Sequence, residues 1–460
     1  MDEELVSSFG RGEWVDQTTL NPVGLLLMII CGLAMLTVSR NKVIWPIVII
    51  ACFVASAQRI VIFTLDFNML RIMVMFGLVR IFLKKEHRGF EIQPLDKIII
   101  LYVLSKLIIH FIREPGAHTL IFELGYGFDA LGMYYLFRIL IQSWEDVDQV
   151  VKAFLVIAIP VSIFFVVEFT TAHNIFSAFG GVPEITFIRE GRLRCQGAFD
   201  HPILAGAFWA TLLPLIAARW WDKSKNQLMT IIGFICACWI VIASSSSTPI
   251  FAALMAFIGG IMFLQRDKMR RIRWGVLATV IGLHLVMKAP VWHLISRVSA
   301  VGGSTSYHRY MLIDSAIRNF NEWWLFGITT TANWFHNAID LTNQYVAEGV
   351  RGGLLTLIFF ILSIAIAFRS VGRTWRRVKD DKAKLAMSWA LGVSLFVHCV
   401  NFIGVSYFGQ IIILWYMILA IITSIDLVTQ KAYIAKQSET ESNKNMAKPI
   451  QGAAHKSWNM

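Results

Sequence analysis

Residues 150–169 read VVKAFLVIAIPVSIFFVVEF, twenty positions charged only at Lys152 and Glu168, near the two ends. As a helix rising about 1.5 Å per residue, such a stretch is about 30 Å long, the thickness of a bilayer's hydrocarbon core. Working outward, runs of the same kind recur near 22–39, 43–58, 61–82, 97–112 and 119–142 before it, and near 202–219, 227–244, 248–264, 274–289, 353–368, 386–405 and 409–427 after it. The chain of 460 residues is 56% hydrophobic and 16% charged, against about 45–50% apolar and about 25% charged in soluble chains. No polar stretch is long enough to fold alone. The sequence therefore predicts an all-α, polytopic membrane helix bundle of about 12–13 spans, a single unit over 1–460. Arg71 and Lys106 fall inside two of the runs, and charges at that depth are expected to face protein or water rather than lipid.

The net charge of +12 would suggest nucleic acid in a soluble protein, but here the cations sit between spans, so no nucleic-acid partner is expected. Arg40 and Lys42, Lys84 to Arg88, Arg219 to Lys225, Arg266 to Arg273, the stretch 369–384 and the tail alternate with the remaining loops. The positive-inside rule makes that set cytoplasmic. The tail 428–460 is then a cytoplasmic segment without fixed structure, and thirteen spans put the N-terminus outside. The acidic start, Asp2 to Glu4, does not resemble a cleavable signal. Of six cysteines, only Cys195 lies in a polar loop, so neither a disulfide framework nor a zinc site is expected.

Two long outside loops remain, 170–201 and 290–352. Outside, arginine is the usual cation: Arg59, Arg113, Arg189, Arg192, Arg194, Arg297, Arg309, Arg318 and Arg351, with Lys288 the exception. Topogenic charge uses lysine and arginine alike, whereas a phosphate clamp prefers the bidentate guanidinium fork. The competing reading is that some of these arginines pair with local acids such as Glu184, Glu190 and Asp314. Within the first loop, GRLRCQGAFDHP (191–202) places Arg192 and Arg194 two apart, on one face of extended chain, with Asp200 available to cap the next helix. The second loop holds Arg309 and Arg318, an aromatic patch at Trp323, Trp324 and Phe326, then His336 and Asn337, and ends at Gly349 and Gly352-Gly353.

The segment HNAIDLTNQYVAEGVRGGLL (336–355) resembles the signature of the O-antigen ligase and polymerase superfamily. RLRCQGAFDHPILAG (192–206) and RYMLIDSAIRNFNEWWLFG (309–327) are similar to its two arginine elements. The resemblance covers about 190–370. Two departures stand out: Ala347 where the family often has glutamate, with Glu348 adjacent, and Ser244-Ser-Ser-Ser-Thr-Pro249 where it often has a serine-arginine pair. The resemblance implies a C-type glycosyltransferase-like fold in a bacterial inner membrane, acting at the periplasmic face. The implied reaction is metal-independent, inverting glycosyl transfer from undecaprenyl-pyrophosphate-linked oligosaccharide to an acceptor glycan, with no cofactor. The bilayer and a chain-length regulator are the other expected partners. Under it His336 is the general base, Asn337 orients it or binds sugar, Arg194 and Arg309 are the leading pyrophosphate ligands and Arg192 and Arg318 the next. Polymerase of repeat units is the expected role; ligase to lipid A-core is the alternative within the enzyme class. A lipid-linked oligosaccharide transporter, which should show internal repeats, and a non-catalytic scaffold are the alternatives outside it.

Overall fold

The computed structural model describes residues 17–63, 65–297 and 305–446. The acidic start and the last fourteen residues of the expected tail, 447–460, lie outside these. Asn21 caps α1 (Pro22–Thr37) by accepting from the Val23 N–H at 2.8 Å. A short α2 (Ile44–Phe53) leads into an antiparallel hairpin, β1 (Arg59–Ile62) with β2 (Leu65–Asn68), and Asn68 caps α3 (Met69–Leu83). Then come α4 (Pro94–Arg113), α5 (Ala117–Leu140), α6 (Trp144–Thr171), α7 (Pro202–Ala218), α8 (Gln227–Ala243), α9 (Ser247–Ile261) and α10 (Met269–Val286). After them follow α11 (Thr305–Arg318), α12 (Phe320–Trp323), α13 (Gln344–Arg377), α14 (Lys382–Gly404) and α15 (Ile411–Met446). A second two-strand hairpin, β3 (Ile188–Arg189) with β4 (Arg192–Leu193), lies in the first long loop.

The fold is all-α, 75% helical, and among the described residues six helical stretches are long and apolar enough to cross a membrane. They are Trp144–Thr171, Pro202–Trp221, Ser247–Val286, Gln344–Arg377, Lys382–Gly404 and Ile411–Glu441; α1 and α8 are apolar but shorter. The thirteen expected spans thus need correction. The run 43–58 forms a helix of only 10 residues. The run 61–82 opens as the hairpin, because the chain reverses at Phe63 with φ +56° and Asn68 starts the helix only after it. The runs 248–264 and 274–289 join through a 3-10 turn, Met262–Lys268, kinked at Gln265. The tail is not structureless from 428, since α15 carries helix through Met446.

The core is filled by large apolar side chains, among them Trp209, Phe137, Phe154 and Phe208, each fully buried. Charges inside the apolar runs face protein, as the cost of burying an unpaired ion requires. Arg71 Nε pairs with Asp129 Oδ1 at 2.7 Å. Lys106 Nζ on α4 lies 3.4 Å from Glu348 Oε2 on α13 and 3.7 Å above the Tyr126 ring.

Polar contacts tie each end of the bundle together. At the lysine-rich end, Arg80 pairs with Glu86 at 2.9 Å and donates to the Met35 and Val38 carbonyls, Arg219 pairs with Asp148, and Arg373 and Arg377 share Asp426. At the opposite end, Ser56 donates to Asp200, Gln58 to the Phe179 carbonyl, Gln410 to the Ala198 and Val54 carbonyls, and the Tyr407 N–H to Gln344 Oε1. Both long loops emerge at this second end.

Candidate functional site

The first loop is fixed from beneath by Glu168, a fully buried carboxylate in the last turn of α6. It accepts from the Gln196 N–H at 2.9 Å, the Gly197 N–H at 3.0 Å and the Thr186 hydroxyl at 3.1 Å. Gly197 has φ +59° and sits so close to Phe165 that a side chain there would collide with the ring. Asn174 Nδ2 donates to its carbonyl at 2.9 Å. The anchored chain then runs alongside α8, the Cys195 N–H donating to the Ala243 carbonyl at 3.2 Å. This turns Arg194 inward, where its Nη2 donates to Ser246 Oγ at 2.8 Å.

The second loop brings its own arginine to the same turn. Arg309, on the first half of α11, donates through Nη2 to Thr248 Oγ1 at 2.8 Å. Ser246 closes the serine-rich turn between α8 and α9, which bends at Ser245 with φ +43°, and Thr248 lies in the first turn of α9. Inside the turn, Ser246 Oγ also donates to the Ser244 carbonyl at 2.9 Å and Ser244 Oγ to Val241 O at 2.7 Å. Glycines let it pack closely: a Cβ on Gly206 of α7 would meet Ser244 Oγ, and one on Gly404 of α14 would meet Thr248 Oγ1. Residues 194, 246, 248 and 309, from four segments, therefore converge at the N-terminus of α9.

The electrostatics of this cluster are unbalanced. Among the described residues no carboxylate lies within ion-pair distance of Arg194 or Arg309, and the Nε of each is buried without a hydrogen-bond partner. Burial pushes the Arg194 guanidinium down to about 10, helped by Arg189 and opposed by Glu190, and pushes Arg309 down too. A guanidinium nonetheless stays protonated in proteins at neutral pH. Two guanidinium groups and the positive end of a helix together suit a multiply charged anion.

The other expected site residues lie elsewhere. Arg192 does not share the environment of Arg194: the β3–β4 ladder is two residues long, so the extended chain ends at Leu193, leaving Arg192 exposed opposite Arg189. Arg318 is nine residues beyond Arg309, about two and a half helical turns, and so points from the opposite side of α11. Its Nε pairs with Asp314 Oδ2 at 2.7 Å and its side chain is 73% exposed. Asp200 bonds to Ser56, and it is His201 that caps α7, its Nδ1 accepting from the Ile203 N–H at 3.1 Å.

His336 and Asn337 are exposed on a series of turns, Asn337 at φ +63°, rather than leading directly into a helix; α13 starts only after Asn343, its cap. Among the described residues His336 has no hydrogen-bond partner. The turn that carries it is held to α11 by His308, whose Nε2 donates to the Asp340 carbonyl at 3.1 Å and whose ring lies 5.4 Å from that of Phe335. It is held internally by Thr331, donating to the Ala338 carbonyl at 2.6 Å. The structure thus joins Arg194 with Arg309, sets the His336 turn beside the helix bearing Arg309, and leaves Arg192 and Arg318 apart. Ser246, Thr248 and Glu168 are the contributors that sequence reasoning missed; the serine run was visible only as a departure from a pattern. No protein-family model matches the chain, and no curated protein does.

Proposed function

We propose that the protein is a membrane glycosyltransferase that polymerises undecaprenyl-pyrophosphate-linked repeat units, acting at the end where Arg194 and Arg309 meet. The observation that carries this reading is the buried Arg194 and the half-buried Arg309 at one serine-rich turn, neither with a carboxylate partner among the described residues. In the resembling family an arginine is often found at that turn; here two arginines reach it from the long loops. The acceptor hydroxyl attacks the anomeric carbon, the bond to pyrophosphate breaks with inversion, and the leaving group's charge is held by the two guanidinium forks. His336 takes the hydroxyl proton as the general base. The positive-inside rule then assigns the lysine-rich end to the cytoplasm of a bacterial inner membrane and the site to the periplasm.

Ligation to lipid A-core is the same chemistry with another acceptor. Transport of the lipid-linked oligosaccharide draws on the charges within the bundle, Lys106, Glu348, Arg71 and Asp129, but these are closed ion pairs. The deciding experiment supplies purified protein with undecaprenyl-pyrophosphate oligosaccharide, and with lipid A-core as an alternative acceptor, and follows product by gel. His336→Ala should lose about 10²–10⁴ in rate while keeping donor binding, and a chelator should have no effect. Transfer at the wild-type rate by His336→Ala would move the base to His201 or His308. Absence of transfer to either acceptor by the wild type would sink the enzyme reading.

A further inference from the structure

We propose that a cavity at the lysine-rich end, remote from the arginine pair, binds a phosphate group, namely that of an anionic lipid headgroup. The cavity, of about 220 Å³, lies between the α3–α4 connection, the end of α5 and α15. Its charged lining is Glu86, Arg88, Glu91, Arg138 and Lys431, with Phe90 forming an apolar wall. The acids are already engaged: Glu86 by Arg80 at 2.9 Å, and Glu91 by Lys431 at 2.6 Å. Arg88 is exposed, and among the described residues its side chain has neither a carboxylate partner nor a hydrogen bond. Arg138 is 4% exposed and lies with its guanidinium 5.1 Å from the Phe90 ring centre. It donates to Ser424 Oγ at 3.2 Å and the Glu91 carbonyl at 3.0 Å, while its Nε, 3.4 Å from Asp96, makes no hydrogen bond.

Among the described residues of the lining one cation is therefore free, and a second can be released. Lys431 and Glu91 are 56% and 51% exposed, and an exposed pair of this kind holds weakly. A phosphate entering beside Arg88 would take Lys431 from Glu91 and lie near the buried Arg138. Size and surroundings favour a lipid over a free anion. The cavity accommodates a headgroup phosphate but not acyl chains. Exposed apolar residues flank its lining in the chain, Leu83 and Ile92 around the connection and Tyr433 and Ile434 beyond Lys431. Acyl chains can lie along these while the phosphate occupies the basic recess, the arrangement by which basic pockets between membrane helices take anionic lipids.

The test measures binding to the full-length protein in neutral detergent, by native mass spectrometry and thermal shift, with phosphatidylglycerol, phosphatidylcholine and inorganic phosphate as separate probes. Phosphatidylglycerol should bind at least ten-fold tighter than phosphatidylcholine. Arg88→Gln, at an exposed side chain without partners, should weaken it about five- to ten-fold. Glu91→Gln, which frees Lys431, should tighten it about two- to five-fold, a gain that damage to the fold cannot mimic. Inorganic phosphate binding as tightly as phosphatidylglycerol, with the same response to both variants, would keep the site and assign it to a soluble anion. Equal binding of both lipids, or indifference to both substitutions, would overturn the proposal.

Discussion

The two ends of the bundle treat buried and half-buried arginine in opposite ways. At the lysine-rich end Arg80 faces Glu86, Arg138 faces Asp96, Arg219 faces Asp148, and Arg373 and Arg377 face Asp426. At the other end, among the described residues, Arg194 and Arg309 face only the hydroxyls of Ser246 and Thr248. Not every arginine there is left open, since Arg59 pairs with Asp66 and Arg318 with Asp314. The lesson is that position in the membrane does not explain the difference. A buried cation with a carboxylate belongs to the fold, whereas one answered by neutral hydroxyls keeps its charge available to something outside the chain.

The largest expected effect breaks the compensated side. Arg80→Met removes one partner of a buried pair, leaving Glu86 and the Met35 carbonyl without their donor and the Val38 carbonyl with Lys84 Nζ at 3.3 Å, and should cost about 3–5 kcal/mol in chemical unfolding. The uncompensated side should respond in activity instead. Arg194→Lys and Arg309→Lys keep charge but lose the fork, and each should lower glycan transfer about 10²–10³-fold at unchanged protein level. A third measurement joins the two scales. The double substitution Arg194→Met with Arg309→Met should leave the unliganded protein at least as stable as wild type. Inorganic pyrophosphate at a hundred times its Kd should stabilise wild type by about 2.7 kcal/mol and the double variant not at all. The smallest effect belongs to Arg318→Ala, which removes an exposed pair and should change stability by less than about 1 kcal/mol and transfer by less than about two-fold. A collapse of activity there would mean that the paired and unpaired arginines do not divide as described.

Much of this arrangement was legible in the chain, and the failures have physical causes. Apolar length and alternating charge located α6, α7, α13, α14 and α15. They failed at 61–82 because Ile60 to Phe63 is as apolar as a span, and hydropathy does not register a reversal of the backbone. The separation of Arg309 from Arg318 follows from their nine-residue spacing once α11 is known to be a helix. The separation of Arg192 from Arg194 does not, since it depends on a strand stopping at Leu193. The meeting of Arg194 and Arg309 at the serine turn was beyond reach. Those hydrogen bonds join residues 52 and 61 positions apart, and nothing local in either segment names its partner. Glu168 was hidden for a related reason, because its three donors are two backbone amides and a hydroxyl rather than a charge.

The pair between Lys106 and Glu348 has a consequence in time. The two residues are 242 positions apart, so when α4 leaves the ribosome the acid that neutralises its lysine does not yet exist. At about 5–20 residues per second, the wait is roughly 12 to 50 seconds. A lysine carried into the bilayer near the middle of a helix costs up to about 2.5–3.5 kcal/mol, and Lys106 is thirteenth of the twenty residues of α4. Throughout that interval Lys106 must be kept in water or sheltered by the insertion machinery, and the arrival of α13 is the event that allows α4 to settle.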